Sequence, residues 1–242
     1  MKAIYRSFLQ MLLFVQRDMM LFASCAAPLL AGLAFKFLIP LLEKRLTEWL
    51  GIDAILAPYY GLMDLFFSVL APTMFCFAAA MVILEEHDDH IESYLFVTGL
   101  GKTGYLISHI ALPGGIAFVV TLVLLPFFKL TALSGMEILL LSFTGTLQGI
   151  IIALLIVTLS TNKLEGMAVT KVSSLLILGA FVPYFVVHPV QYVAAVLPSF
   201  WMAKALCEKN IFYMVMAVLT SGIWIWSLMR KYKSGYKGHL HR

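Results

Sequence analysis

Six long apolar stretches dominate this sequence and limit what it can fold into. A helix needs about 20 consecutive, mainly apolar residues to cross a bilayer, and inside hydrocarbon it satisfies all of its own backbone hydrogen bonds. We therefore expect an all-α integral membrane protein with six transmembrane helices. The predicted spans are about 19–42, 61–84, 105–128, 137–160, 171–187 and 211–229.

The composition leaves little room for anything besides these spans. Of the 242 residues, 62% are hydrophobic and 12% are charged, whereas soluble domains have about 45–50% and about 25%. Six spans and their connectors use the whole length, so we expect one transmembrane domain over residues 1–242. An ATP-driven step would need a separate subunit. The net charge of +4 gives no indication of nucleic-acid binding, and Cys25, Cys76 and Cys207 lack the spacing of a disulfide framework or metal site.

Residues 1–18 are predicted to form an amphipathic helix at the membrane interface. Apolar residues recur at helical spacing along one face, and most of the charged ones lie on the other. A signal peptide is the alternative, but the positive region is too long for one. The apolar face consists of Ile4, Phe8, Met11, Leu12 and Val15.

Five carboxylates crowd the connector after the second span. Even one charge costs about 2.5–3.5 kcal/mol in the bilayer centre, so this stretch must lie outside it. From Ile91 onward, apolar residues recur at i, i+3, i+4 and i+7, which predicts a short amphipathic helix over residues 85–99 with a polar face turned to a partner. The predicted docking residues are Glu85, Glu86, Asp88, Asp89, Glu92, Tyr94 and Leu95.

Polar and helix-breaking residues inside the spans have two interpretations each. Asp64 either pairs with Lys36 at a similar depth or reaches interfacial water. The polar residues of the fourth span, together with Gly145 and Gly149, favour close helix packing, and a polar pathway is the alternative. In the third span, Pro113 and the two glycines after it predict a kink.

The last third of the chain contains a short connector and an irregular segment. The connector, residues 161–170, contributes Asn162, Lys163 and Glu165. An apolar run over 190–201, too short to span and bounded by prolines, predicts a re-entrant element on the outer side that includes Pro198, Phe200 and Trp201. The distribution of Lys and Arg places the amino end, both short connectors and the basic tail in the cytoplasm.

Three patterns that suggest enzymatic or metal chemistry are incomplete. Glu85 and Glu86 followed by His188 resemble intramembrane proteases of the prenyl-endopeptidase kind, but His90 replaces the expected arginine and the predicted topology puts His188 across the bilayer. Residues 101–103 lack the earlier glycine of a phosphate-binding loop. His87 and His90 could approach a metal, although exposed polar residues explain them better. We therefore predict no catalytic, cofactor or metal residues.

Three segments carry a recognisable pattern: residues 92–101 with Tyr105, residues 162–166 and residues 197–201. They resemble the permeases of the second ABC exporter type, nearest to drug-exporting members such as fluoroquinolone exporter permeases. Residues 92–101 with Tyr105 resemble that family's first connector, with Gly99 where it usually has proline. Residues 162–166 and 197–201 resemble its second connector and outer element. Together with the six spans, the resemblance covers essentially the whole chain.

The resemblance implies half of a transporter in the bacterial cytoplasmic membrane. Two such permeases, identical or related, would pair, and each would dock an ABC ATPase subunit through the helix near residues 85–97. ATP and Mg would be bound by that ATPase and no cofactor by this chain. The cargo would be hydrophobic or amphipathic, such as a drug or peptide. An intramembrane protease-like enzyme and an accessory or immunity membrane protein that binds a peptide are the alternatives.

Overall fold

A computed structural model describes residues 2–51, 54–89, 91, 94, 101–186 and 189–239. In these ranges, six helices are long and apolar enough to cross a membrane, which confirms the predicted all-α fold. The elements are α1 (Lys2–Arg17), α2 (Met19–Leu50), α3 (Tyr60–Asp88), α4 (Gly104–Phe128), α5 (Gly135–Leu159), α6 (Lys163–Phe185), α7 (Pro198–Glu208) and α8 (Ile211–His239), with a 3-10 helix at Pro189–Val196 between α6 and α7.

The central pair of the bundle is α3 and α5. A Cβ atom added to Gly145 would lie 2.1 Å from the Ser68 carbonyl oxygen, and one added to Gly149 would lie 3.0 Å from the Pro72 carbonyl oxygen. The two backbones therefore touch at Gly145, where any side chain would collide, and approach closely at Gly149. This contact, the α3–α5 seam, supports the packing interpretation of the fourth span.

Helix α1 packs its apolar face onto the bundle. Ser7, Met11 and Val15 are buried, and Ile4 and Phe8 pack against buried clusters. Leu12, which the sequence also placed on this face, is 37% exposed. Asp18 follows α1, and its carboxylate accepts the backbone N–H groups of Met20 and Leu21, so it caps α2.

Four helices extend well beyond their predicted spans, and one of them is α8, which continues past residue 229 to His239. Helix α2 continues past residue 42 to Leu50, where Gly51 ends it in a left-handed conformation with φ of 65°. Helix α3 continues past residue 84 to Asp88, and α6 begins at Lys163 instead of residue 171. The extensions are rich in charged residues and contain no proline, and Gly166 lies inside that of α6 without ending it.

Two π-helical turns precede prolines. Ala34–Leu38 lies before Pro40, and Ile107–Ala111 lies before Pro113. A proline ring clashes with the carbonyl group four residues earlier and removes one hydrogen bond, so the preceding turn widens. The irregularity predicted at Pro113 therefore lies in the turn just before it.

The bundle has two distinct ends. At the connector end, the start of α2, the end of α3 and the start of α6 meet. At the opposite end, the start of α3, the α4–α5 turn and the ends of α6 and α7 meet.

Both sequence interpretations of Asp64 are wrong. Asp64 is only 2% exposed, so it does not reach water. Its carboxylate accepts the backbone N–H groups of Leu130 and Thr131 at 2.7 and 2.9 Å and thereby holds the α4–α5 turn. Lys36 instead donates to the Phe127 carbonyl oxygen.

The segment before the last span is more regular than predicted. Residues 190–201 divide into the 3-10 helix and the first turn of α7, which continues to Glu208. Pro198, Phe200 and Trp201 are buried, and the Trp201 indole donates to the Ala195 carbonyl oxygen at 2.7 Å. Whether this segment re-enters the membrane stays a prediction.

Candidate functional site

One lysine joins three parts of the chain at the connector end. The Lys163 ammonium lies 2.9 Å from a carboxylate oxygen of Asp18 and 2.8 Å from one of Glu85. These partners are 145 and 78 residues away in sequence. The three side chains are 24–30% exposed, so the ion pairs are only partly accessible to water. We call Asp18, Glu85, Asp88 and Lys163 the charged junction.

Asp88 and Asn162 fix the start of α6 within this junction. Asp88 accepts the backbone N–H of Lys163 at 3.0 Å, and the Asn162 side chain accepts that of Glu165 at 2.8 Å. The Glu165 carboxylate accepts the N–H of Thr161. Acidic groups are favourable at a helix N-terminus because of the helix dipole. The second connector is thereby fastened to the end of α3.

Asp18 has two roles in this arrangement. It caps α2 with one oxygen and pairs with Lys163 through the other. The hydrogen bond from Lys163 is the main reason that the pKa of Asp18 lies below its ordinary value of 3.8. The carboxylate is therefore ionised at neutral pH and fixes the corner between α1 and α2.

Glu86 turns inward, which corrects its predicted place on the docking surface. It is 4% exposed, and it accepts a hydrogen bond from the Tyr105 hydroxyl at 2.7 Å and contacts the His109 Nε2 at 3.3 Å. Because α3 remains helical through Asp88, neighbouring residues differ in direction by about 100°. Glu85 consequently faces Lys163 while Glu86 faces α4.

A buried polar chain continues from Glu86 to α1. His109 Nδ1 lies 2.9 Å from the Ser108 hydroxyl, which lies 3.3 Å from the Ser7 hydroxyl. The rings of Tyr105 and His109 stack at 4.2 Å. We call Ser7, Glu86, Tyr105, Ser108 and His109 the buried polar chain.

The order of serine, histidine and glutamate in this chain resembles a catalytic triad. However, Ser108 and His109 are 0% exposed, so a substrate cannot reach the hydroxyl. The buried polar chain instead satisfies polar groups within the bundle and ties α1 and α4 to α3.

The remaining predicted docking residues are only partly described. Asp89 caps the C-terminus of α3, where its N–H donates to the Glu85 carbonyl oxygen, and Tyr94 is 76% exposed. Glu92 and Leu95 lie outside the described residues, as do His90 and His188, on which the metal and protease alternatives depended. The docking role of residues 85–99 stays a prediction, and Pro198, Phe200 and Trp201 lie at the opposite end of the bundle.

Sequence reasoning missed Asp18 and His109. Asp18 directly precedes an apolar run, which is the ordinary pattern of a helix cap. His109 lies inside a predicted span, where an ionisable residue usually has a partner within the bundle. Both signals were present in the sequence, but neither identifies a partner distant along the chain.

Comparison with known proteins identifies the family. Residues 12–229 match the family described as "Fluoroquinolones export permease protein Rv2686c-like". Two relatives are the fluoroquinolones export permease proteins MT2760 and Rv2686c, from Mycobacterium tuberculosis strains CDC 1551 / Oshkosh and ATCC 25618 / H37Rv. Each is 25% identical over 228 residues, which cover 90% of this chain and 89% of the relative.

No solved structure matches the chain. The family match covers most of the sequence, including α2–α7 and all four residues of the charged junction. The chain is therefore a multi-pass membrane protein that belongs to the Rv2686c-like family of fluoroquinolones export permease proteins.

Proposed function

We propose that this chain is the permease half of an ABC exporter, driven by a separate ATPase subunit. The family membership and the six candidate spans support a transport subunit. ATP and Mg²⁺ would be bound by the ATPase, and this chain would supply the membrane pathway and the docking surface. Its termini and both short connectors would face the cytoplasm.

The observation that carries this proposal is the charged junction. Through Lys163 it fastens the corner after α1, the end of α3 and the start of α6 to each other. A force applied at the connector after α3 would therefore reach three elements together. Such a linked assembly can transmit rigid-body movement from an ATPase to the spans.

The docking surface would be the connector that follows Asp88. Asp88, Asp89 and Tyr94 are exposed, whereas Glu85 and Glu86 bind within the permease. The two glutamates therefore anchor the connector, and the residues after them would contact the ATPase.

The cargo would be hydrophobic or amphipathic. The buried surface of the bundle is mainly apolar, and charged groups there are few and mostly engaged with each other or with backbone groups. A second permease, identical or related, would complete the pathway. Much of α2 is available to lipid or to that partner, because only 11% of the residues in its most apolar stretch are buried against the rest of the chain.

The protease-like and accessory-protein alternatives gain no specific support. Glu85 and Glu86 are engaged by Lys163, Tyr105 and His109, so neither is positioned to activate water. An accessory protein would need no ATPase.

Affinity purification of the tagged chain from native membranes tests the proposal. We expect an ATPase to co-purify in stoichiometric amount. Tyr94→Ala should weaken its binding to the permease and lower the amount that co-purifies. Trp49→Ala is the matched control, because Trp49 is an 82% exposed aromatic residue in the last turn of α2, at the end of the bundle opposite the connector. If no ATPase co-purifies after gentle extraction, the exporter proposal is wrong and the accessory-protein alternative gains support.

A further inference from the structure

A cavity of about 590 Å³ lies at the opposite end of the bundle from the charged junction. It is open on one side and is lined by the start of α3, the α4–α5 turn and the ends of α6 and α7. Pockets that bind small organic molecules usually have about 300–1,000 Å³, and this cavity lies within that range, with both polar and apolar groups in its wall. We call this space the distal cavity. Leu133, Pro183 and Leu206 provide apolar wall, and Tyr184, Cys207 and Lys209 provide polar groups.

Lys209 has an unusual backbone conformation at the cavity edge. It ends α7 with φ of 48° and ψ of 38°, in the left-handed region. Glycine or asparagine normally occupies this position, because other residues lose about 1–2 kcal/mol there. Asparagine is the next residue, yet the lysine occupies the strained position. Such strain is common where a side chain is needed for binding.

Lys209 is the one cationic residue among the described residues that line the cavity. Lys209 makes no ion pair with a residue in the described ranges. The nearby Lys204 is instead balanced by Glu208 at 3.5 Å. Glu137, the acidic residue in the cavity wall, accepts the Ser134 N–H at 2.7 Å and caps α5. The cavity therefore offers an ammonium group to a ligand.

The inner wall offers neutral hydrogen-bonding groups. The Tyr184 hydroxyl hydrogen-bonds the Cys207 thiol and lies where a Cβ atom on Gly61 would be only 2.9 Å away. The glycine thus leaves room for the hydroxyl at the cavity wall. A ligand here would meet the Lys209 ammonium, the Glu137 carboxylate held at the start of α5, neutral polar groups and an apolar surface.

We propose that the distal cavity binds an amphipathic anion, with its charged group at Lys209 and its apolar part against Leu133, Pro183 and Leu206. The ligand would be either a soluble organic carboxylate or an anionic lipid of the surrounding bilayer. This site goes beyond the transport function and needs no ATPase, so its test is independent of the docking experiment.

Cys207 provides a reporter within the cavity. In a Cys25→Ala, Cys76→Ala background it is the one remaining cysteine, and it is exposed. Partial burial of the thiol nevertheless raises the pKa of Cys207, so maleimide labelling should be followed at about pH 8. The purified permease is reconstituted in phosphatidylcholine nanodiscs, which leave both membrane faces accessible to the maleimide.

The soluble probe is naphthalene-2-carboxylate, with naphthalene-2-carboxamide as its uncharged control. We expect the carboxylate to slow Cys207 labelling and the carboxamide to do so much less. Lys209→Gln should raise the carboxylate concentration for half-protection about tenfold, whereas Lys209→Arg and the outside control Lys44→Gln should leave it nearly unchanged. Gln and Arg at position 209 both have to adopt the left-handed backbone conformation. A difference in protection between the two variants therefore reports the charge of the side chain.

A second arm separates the two sources of the ligand. If an anionic lipid occupies the cavity, adding phosphatidylglycerol to the nanodiscs should slow labelling of the wild type but not of Lys209→Gln. Protection by either the carboxylate or the lipid, with loss in Lys209→Gln, supports the proposal. Absence of protection by both, or equal protection in Lys209→Gln, overturns it.

Discussion

The α3–α5 seam and the charged junction hold the bundle together by different physical means. In the seam, glycines let two backbones touch, and the contact depends on shape alone. In the junction, partly exposed side chains meet across water-accessible ion pairs centred on Lys163. The seam lies in the middle of the bundle, and the junction lies at one end.

This difference indicates which parts can move. Backbone contacts between packed helices have one arrangement and resist gradual deformation. Partly exposed ion pairs contribute about 0–1 kcal/mol each, so the junction links its three elements more weakly than the seam links α3 and α5. We therefore expect α3 and α5 to move as one unit during transport, and the junction to be where movement enters.

Enlarging Gly145 should have the largest effect on stability. In Gly145→Ala the new Cβ atom would overlap the Ser68 carbonyl oxygen, so the seam must separate. Overpacking of this kind costs about 1–3 kcal/mol, and for a chain of this size each kcal/mol lowers the melting temperature by about 2–4 °C. Thermal unfolding of the purified protein measures the change.

Gly115→Ala is the matched control for the seam. A Cβ atom there meets nothing within 4 Å, and alanine favours helix by about 0.5–1 kcal/mol, so its melting temperature should stay the same or rise. Equal melting temperatures for the two variants would contradict the steric account of the seam.

Removing Glu86 should have an intermediate effect. Glu86→Ala takes a buried acceptor away from the Tyr105 hydroxyl and from His109, which should cost about 1–3 kcal/mol. Glu86→Gln keeps the shape and one carbonyl acceptor, so it should lose less. Asp89→Ala, at an exposed position, should change stability by at most about 0.5 kcal/mol. If Glu86→Ala is as mild as Asp89→Ala, the buried polar chain does not stabilise the bundle.

Neutralising the junction should have the smallest effect on stability, and that effect should depend on pH. The folded-state pKa of Asp18 lies below 3.8 because of Lys163, so its contribution is complete above about pH 4 and is lost as the pH falls through the folded value. The wild-type melting temperature should therefore fall more steeply below pH 4 than that of Lys163→Met. Parallel pH profiles would show that the pair contributes nothing.

The sequence predicted the elements more reliably than their partners. Apolar length gives the six spans, and glycine spacing gives the tight α5 contact, because both depend on local pattern. The partners of Lys163 are 145 and 78 residues away, so only the folded bundle brings them together. The inward turn of Glu86 was missed because α3 continues past the apolar stretch, and Asp64 was misassigned because its partners are backbone groups.

Site-specific photocrosslinking in cells tests the central claim most directly. A benzoylphenylalanine residue would replace Tyr94 in the proposed docking connector or Trp49 at the opposite end; the two side chains are 76% and 82% exposed. The account predicts a covalent adduct with an ATPase from position 94 and none from position 49. Equal adducts at both positions, or no ATPase adduct at position 94, would contradict it.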